Sequence, residues 1–388
     1  METVFWLLLF IVFYAYVGYG MILFILLRIK RLFSKKTTPE RNEVFEPTVT
    51  LVVPAYNEED FILKKVENCL QLDYPKDKFE IIFITDGSTD RTKELLERRV
   101  KVLHEDRRAG KAAAENRAMR FVKSDIVVFC DANTLLNKNA IRELVKHYKD
   151  PEVGAVSGEK RIMNQEAEGA SAAGEGLYWK YESTLKKMDS EMRTVVGAAG
   201  ELISFRTDLV EDLEEDTILD DFMQSMRIAL KGYRVIYEPE AYAMETASAD
   251  VKEELKRKVR ICAGGWQSMS RLLPAFNVFR HPLLTFLYTS HRVLRWSIAA
   301  FVLPIIFILN IFLANRGGGV YVFLLIAQII FYVLALLGWY LQSKKMKVKL
   351  LFVPFYFTLM NYAVFAGFFR WLRGTQKATW ERARRATI

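Results

Sequence analysis

Four stretches of this chain contain no charged residue: Phe5 to Leu27, Trp296 to Leu313, Val320 to Leu341 and Leu350 to Phe369. At a rise of about 1.5 Å per residue, apolar runs of roughly 18 to 23 residues reach across a bilayer core of about 30 Å. Four membrane spans are therefore expected, giving a multi-pass membrane protein whose chemistry is built from the charged sequence between the first span and the rest. The first run is expected to be a retained anchor rather than a cleaved leader. Glu2 precedes it, its apolar stretch exceeds about 15 residues, and no small-x-small site follows.

Next comes RIKRLFSKK, Arg28 to Lys36, whose basic residues place the following domain on the cytoplasmic side by the positive-inside rule. This collar accounts for much of the formal charge of +9, so the charge calls for a membrane surface and for no nucleic acid. Cys69, Cys130 and Cys262 are far apart and lack paired spacing, which argues against a disulfide framework and a zinc site and for packing in a reducing compartment.

Between the collar and about Ala247, short β-rich runs alternate with amphipathic helices. TVTLVVPA, FEIIFITDGS, VKVLHE, SDIVVFCDAN and VGAVSG have strand patterns, and TKELLERR, KAAAENRAMRFV and KNAIRELVKHYK have helical ones. Such interleaving predicts an α/β fold with a mostly parallel sheet covered on both faces, and ligands collect at the carboxyl ends of such strands. Three strands run directly into polar clusters there: Asn57-Glu58-Glu59, Asp86-Gly87-Ser88 and Asp131-Ala132-Asn133. Any one of these has the composition of a turn or cap. Three on one sheet edge point to a site.

Carboxylates and a carboxamide at strand ends suit a hard cation, magnesium or manganese, which in turn accepts diphosphate oxygens. Gly110 and Lys111, where a helix begins, offer close backbone approach and positive charge. Asp220 and Asp221 open another helix, with Asp220 expected as its N-cap. Neighbours on a helix point about 100° apart, so one of the pair is expected to face substrate. A carboxylate beside a metal-bound diphosphate is what direct displacement needs: a base for a hydroxyl proton and a cation for the departing group.

From Thr48 to Gln267 the order of these motifs resembles the membrane-bound family 2 glycosyltransferases, the group of the cellulose, chitin, hyaluronan and poly-N-acetylglucosamine synthases and many single-transfer relatives. The resemblance implies a nucleotide-diphospho-sugar transferase (GT-A) fold and an inverting, metal-dependent transfer from a nucleotide sugar to a saccharide or lipid acceptor. VVPAYNEED looks like the first nucleotide-binding loop, with Pro54, Tyr56 and Glu58. FITDGSTDRT supplies Asp86 for the uridine part of a UDP-linked donor, and RAGKAAAENRA supplies Lys111. CDANT stands in the place of the Asp-x-Asp metal motif, as Asp131 and Asn133. LDDF matches the acidic pair, with Asp221 as catalytic base beside Asp220. GAAGELISF, with Gly197 and Gly200, resembles the acceptor-side segment.

Two departures qualify the resemblance. An amide at Asn133 can still coordinate a hard cation but adds no charge. In RKVRICAGGWQ, only Arg260 survives of the Gln-x-x-Arg-Trp motif of processive synthases, where it would stabilise the leaving diphosphate; Arg257 stands at the Gln position and Ile261 at the Trp position. Trp266 lies at another spacing, as a candidate acceptor contact or an interfacial anchor, and Tyr178, Trp179 and Tyr181 are either sugar-stacking or core residues.

The expected organisation is an anchor and collar (1–36), a glycosyltransferase domain (45–267), interfacial helices (268–295), three spans (296–372) and a basic tail (373–388). Long-polymer synthesis is weakened by the missing Trp. Transfer to a polyprenyl phosphate or other lipid is the alternative within enzymes, and a sugar-nucleotide-binding scaffold without catalysis is the alternative outside them. Counting spans puts the tail outside the cell, whereas its basic charge belongs inside; a re-entrant or interfacial last segment would reconcile the two.

Overall fold

The structure is a computed structural model that describes residues 1–33, 45–162, 169–198, 200–246, 251–343 and 349–379; for 169–179, 343, 349 and 350 only the backbone is described. Eight strands form one sheet: β1 (Val49–Ala55), β2 (Phe79–Asp86), β3 (Lys101–Glu105), β4 (Ile126–Cys130), β5 (Thr134–Leu136), β6 (Val153–Ile162), β7 (Leu202–Arg206) and β8 (Arg234–Glu245), in the order β3-β2-β1-β4-β7-β6-β8-β5. β3, β2, β1 and β4 are parallel, as are β6 and β8. β7 runs antiparallel to both β4 and β6, and β5 runs antiparallel to β8.

Alternation along the strands feeds two cores, as period-2 side chains in a doubly covered sheet must. Leu51, Val53, Ile126 and Val128 point to the face covered by the helices Ile62–Leu70 and Ala140–Val145. Val52, Ile84, Val127 and Phe129 point to the opposite face. There they meet Ala112, Ala114 and Ala118 of the helix Lys111–Met119, and Phe222, Met223 and Met226 of the helix Asp220–Leu230. Tyr19, Leu23 and Leu27 of the amino-terminal helix join this same core, so the first candidate span is packed onto the domain rather than tethered to it.

The helices Glu2–Phe33, Gly319–Gln342 and Leu351–Leu372 are long and apolar enough to cross a membrane. The remaining apolar run is a bent pair, Pro282–Trp296 and Ile298–Ala314, set at 53°. The bend falls at Ser297, whose φ −137° and ψ −91° lie outside the helical region. Phe307 meets Tyr332 and Asn310 is hydrogen-bonded to Gln328, so Ile298–Ala314 and Gly319–Ser343 run antiparallel and bring Gly338 back toward the level of Phe301. The last helix begins there, with Leu351 and Phe355 against Gly338. It ends with Phe365 on Phe301 and Gly367 on Cys262. Its carboxyl-terminal end thus lies against the helix Val251–Arg271. Cys69, Cys130 and Cys262 are free and buried.

Candidate active site

The loops leaving β1, β2 and β3 are laced together by backbone donors and short polar side chains. The N–H groups of Asn57, Glu58 and Glu59 donate to Ser88 Oγ, Thr92 Oγ1 and Asp90 Oδ2 at 3.2, 2.8 and 3.1 Å. Asp86 accepts the N–H of Gly110 at 2.7 Å and that of Ala109 at 3.1 Å, and Arg117 Nη1 stands 3.7 Å away. Its carboxylate therefore holds the Gly-Lys turn against the end of β2. Gly110 is at φ +104°, a conformation costly for residues with a Cβ. Arg108 lies over the Tyr56 ring at 3.7 Å, and Pro54 is paired within β1 to Ile84 of β2. Expected donor residues thus occur in two layers: Pro54, Tyr56 and Asp86 build the platform, while Glu58 and Lys111 line the cavity in front of it.

The acidic groups converge on Lys111. Its Nζ lies 2.9 Å from Asp131 Oδ1, 3.3 Å from Asp220 Oδ2 and 3.8 Å from Glu115 Oε1. Topology explains the meeting: β4 ends at Cys130, just before Asp131, Lys111 opens the helix that precedes β4, and Gly200 leads into the antiparallel β7 beside it. A Cβ on Gly200 would sit 3.0 Å from Asp221 Oδ2 and 3.4 Å from Lys111 Nζ. The bare backbone there leaves the space in front of Asp221 open.

The expected cap at Asp220 is corrected. Leu219 holds the N-cap position without a side-chain bond, and Asp220 is the first helical residue. The ion pair to Lys111 takes its side chain away from the helix end. Both acids line the cavity. Burial, and then the neighbouring Asp220, pushes the Asp221 carboxyl up to about 7. Burial and Asp220 likewise raise Glu115 well above the carboxylate range. Burial also raises Asp131, against the pull of Lys111. Burial alone would lower Lys111, but Asp131 and Asp220 keep it well above the usual range and therefore charged.

A divalent cation fits the residues present. Asn133 Oδ1 is buried without a hydrogen-bond partner, and a bare buried amide oxygen is costly unless something binds it. Among the described residues, no three His, Cys, Asp or Glu side chains gather in metal-binding geometry. Asp131 with Asn133 is a partial ligand set of the kind magnesium uses when substrate phosphates complete its shell.

Arg260 Nη2 donates to Ile218 O at 3.1 Å, just before the acidic pair, and to Ala378 O at 3.3 Å. The segment after the last helix therefore returns to the site. Thr375, Gln376, Lys377 and Thr379 line the cavity, and Thr379 lies against Gly110. No motif in the sequence announced this return. Glu115 and Glu201 were also missed, although Glu115 stands at helical spacing from Lys111 and Glu201 follows Gly200. Burial would raise Glu201, but Lys160, 2.7 Å away, holds it well below the carboxylate range.

Two acceptor candidates lie off the cavity wall. A Cβ on Gly197 would meet the Phe222 ring at 2.1 Å, so this glycine serves close packing. Trp266 stacks on Trp371 at 5.8 Å and meets Phe368 at 4.7 Å, because it points to the apolar helices while Arg260 and Gln267 share the face toward residues 216–218. Gly200 is on the wall, as is Ile261. Arg257 also lines it while paired with Glu254 at 3.0 Å. The side chains of Tyr178 and Trp179 lie outside the described residues; Tyr181 lines the cavity.

Glu58, Lys111, Asp131, Gly200, Asp221 and Arg260 line one open cavity of about 2450 Å³. Small-ligand pockets occupy about 300–1,000 Å³, so there is room for two substrates.

Residues 50–214 match the sequence model of Glycosyl transferase family 2. Over 281 residues the chain is 30% identical to a poly-beta-1,6-N-acetyl-D-glucosamine synthase of Staphylococcus aureus, covering 68% of this chain and 66% of that protein. Over 213 residues it is 32% identical to a beta-monoglucosyldiacylglycerol synthase of Synechocystis sp., covering 51% of this chain and 43% of that protein. It thus spans about two thirds of the first relative's length and less than half of the second's. Among solved structures, the mannosyltransferase PcManGT from Pyrobaculum calidifontis, in complex with GDP-Man and Mn2+, superposes with a TM-score of 0.69 at 24% identity, covering 94% of this chain and 99% of that one. Its likeness shows a GT-A fold, while the matched domain and the sequence relatives lead to one assignment: the chain belongs to the family 2 glycosyltransferases.

Proposed function

We propose that the protein transfers a sugar, with inversion, from a nucleoside diphosphate donor to a hydroxyl of a saccharide or lipid acceptor at the cytoplasmic membrane face, with Asp221 as base. The observation that carries this reading is Asp221 itself: a carboxyl pushed up to about 7, beside the bare Gly200 backbone, in the cavity that also holds Lys111 and Asp131. A base with that value is poised for proton abstraction near neutrality.

Asp131 and Asn133 would hold a divalent cation, magnesium or manganese, which supplies charge for the departing diphosphate when bound. Lys111 stays charged beside Asp131 and would face the same phosphates, with Arg260 closing the far side. The acceptor oxygen attacks the anomeric carbon, its proton passes to an Asp221 carboxylate oxygen, and the carbon–oxygen bond to the diphosphate breaks with its electron pair leaving on the diphosphate. The platform of Tyr56, Arg108 and Asp86 would seat the base, with uridine proposed on the motif resemblance. The Pyrobaculum mannosyltransferase holds GDP-Man, so the nucleotide belongs in the test.

The reading is tested by presenting the purified protein, in lipid discs with Mn2+ or Mg2+, with a panel of UDP- and GDP-sugars while nucleoside diphosphate release is followed against pH. Because Asp221 must be ionised to accept the proton, kcat/KM is expected to rise about tenfold per pH unit below about 7 and to level off above it. No release with any donor, or a rate independent of pH, contradicts the reading.

A further inference from the structure

Beyond the acidic cluster, the residues lining the same cavity mix buried charge with an apolar stripe. Glu182 lies between Arg292 Nη1 at 2.6 Å, Arg295 Nη1 at 3.2 Å and His291 Nε2 at 3.2 Å. Burial would raise Glu182, but Arg292, His291 and Arg295 hold it well below the carboxylate range. Asp189 is bound by His291 Nδ1 at 2.5 Å and by the Tyr19 hydroxyl. Two arginines and two carboxylates thus balance.

Lys186, one helical turn from Glu182, is left over. It is 4% exposed, its Nζ lies 5.8 Å from the centre of the Tyr237 ring, and among the described residues no carboxylate stands within ion-pair distance of it. It lines the cavity. Burying an ammonium group without an anion is costly, so its place on a cavity wall points to an anionic ligand.

The neighbouring wall says what else that ligand carries. Phe352, Val353, Tyr356, Phe357 and Met360 recur at helical spacing and turn one face of the last helix into the cavity. Tyr16 and Val17 of the amino-terminal helix, a candidate span, line the cavity beside them, the Tyr16 ring 5.0 Å from that of Phe357. An apolar stripe beside a candidate span, in a cavity also lined by the buried Lys186, suits an amphiphile that pairs hydrocarbon with an anionic group.

We propose that the part of the cavity lined by Lys186 and the apolar stripe binds the acceptor, and that the acceptor is a membrane lipid with a phosphodiester headgroup bearing a free hydroxyl. Its single negative charge is taken by Lys186, its hydrocarbon lies along the stripe, and its hydroxyl is delivered toward Asp221. This rests on the transfer reading above and names its acceptor class. Among the described residues Lys186 is buried with no carboxylate in ion-pair distance, which suits the single charge of a phosphodiester, and a carboxylate base calls for a hydroxyl nucleophile rather than a phosphate oxygen. The step balances as before: the headgroup oxygen bonds to the anomeric carbon, its proton goes to Asp221, and the nucleoside diphosphate leaves with the bonding pair.

The test uses the full chain in phosphatidylcholine discs containing either phosphatidylglycerol or neutral diacylglycerol, with the nucleotide sugar selected by the donor screen. Phosphatidylglycerol is expected to be glycosylated with saturation. Lys186→Ala and Lys186→Gln should each raise its KM about 10- to 100-fold, the size of a lost charge-assisted bond, with a smaller change in kcat. Lys186→Arg should restore most of the loss, and the KM of diacylglycerol should not move. Native mass spectrometry of the same proteins should show less retained phosphatidylglycerol in the Ala and Gln variants. An unchanged KM for phosphatidylglycerol in both variants, an equal loss with diacylglycerol, or transfer to soluble oligosaccharides alone overturns the proposal while leaving sugar transfer standing. No nucleoside diphosphate release with any acceptor removes the transfer reading and this one with it.

Discussion

Asp221→Asn is expected to lower turnover about 10²- to 10⁴-fold, the range spanned by general-base contributions, while donor affinity stays within a small factor of the native value. The substitution keeps the shape of the side chain beside Gly200 and removes only its capacity to take a proton. It also removes one of two neighbouring buried carboxylates whose mutual repulsion helps push Asp221 up to about 7, so the folded protein should not lose stability. Thermal unfolding alongside the kinetics separates these effects. A stable variant with native turnover would take the base role away from Asp221. Asp220→Asn is expected to act differently, since that carboxylate lies 3.3 Å from Lys111. Its loss should disturb the position of the ammonium group and weaken donor binding along with turnover.

The second large effect concerns the turn after β4. Asp131→Ala removes the carboxylate 2.9 Å from Lys111 and the one charged group of the Asp131–Asn133 pair. It should abolish metal-dependent transfer, a loss of about three orders of magnitude or more, by removing charge stabilisation where the leaving group develops. Asn133→Asp should be tolerated and should tighten Mn2+ binding, because the buried Oδ1 that lacks a hydrogen-bond partner would be replaced by a charged oxygen. Metal titration followed by nucleoside diphosphate release checks both. A variant at Asn133 that loses activity at every Mn2+ concentration would show that its amide shapes the turn instead.

Much of this was legible in the chain because each signal is local. Three of the four charge-free runs are helices long enough to span, and the strands ending at Ala55, Asp86 and Cys130 put three polar clusters on one edge as the alternation required. The parallel core follows from β-branched runs separated by crossover helices. What remained hidden depends on contacts between distant segments. β7 enters antiparallel between β4 and β6, and this brings Gly200 and Glu201 beside Asp131; nothing in GAAGELISF states a strand direction.

Asp220 has a capping composition, yet a lysine more than a hundred positions away claims its side chain. Trp266 has the composition of a sugar-stacking residue, but helix phase turns it toward Trp371. The return of residues 375–379 to Arg260 and Gly110 has no sequence signature beyond basic charge. Lys186 looks like any helical lysine until the network around Glu182 is seen to leave it, among the described residues, without a carboxylate in ion-pair distance.

The central claim, a single displacement at the anomeric carbon with Asp221 as base, is tested most directly by the configuration of the product. Proton NMR of the first product formed from an α-linked nucleotide sugar should show the transferred residue wholly in the β configuration, with one nucleoside diphosphate released per linkage. A product that keeps the α configuration would require an even number of displacements, and would contradict the account.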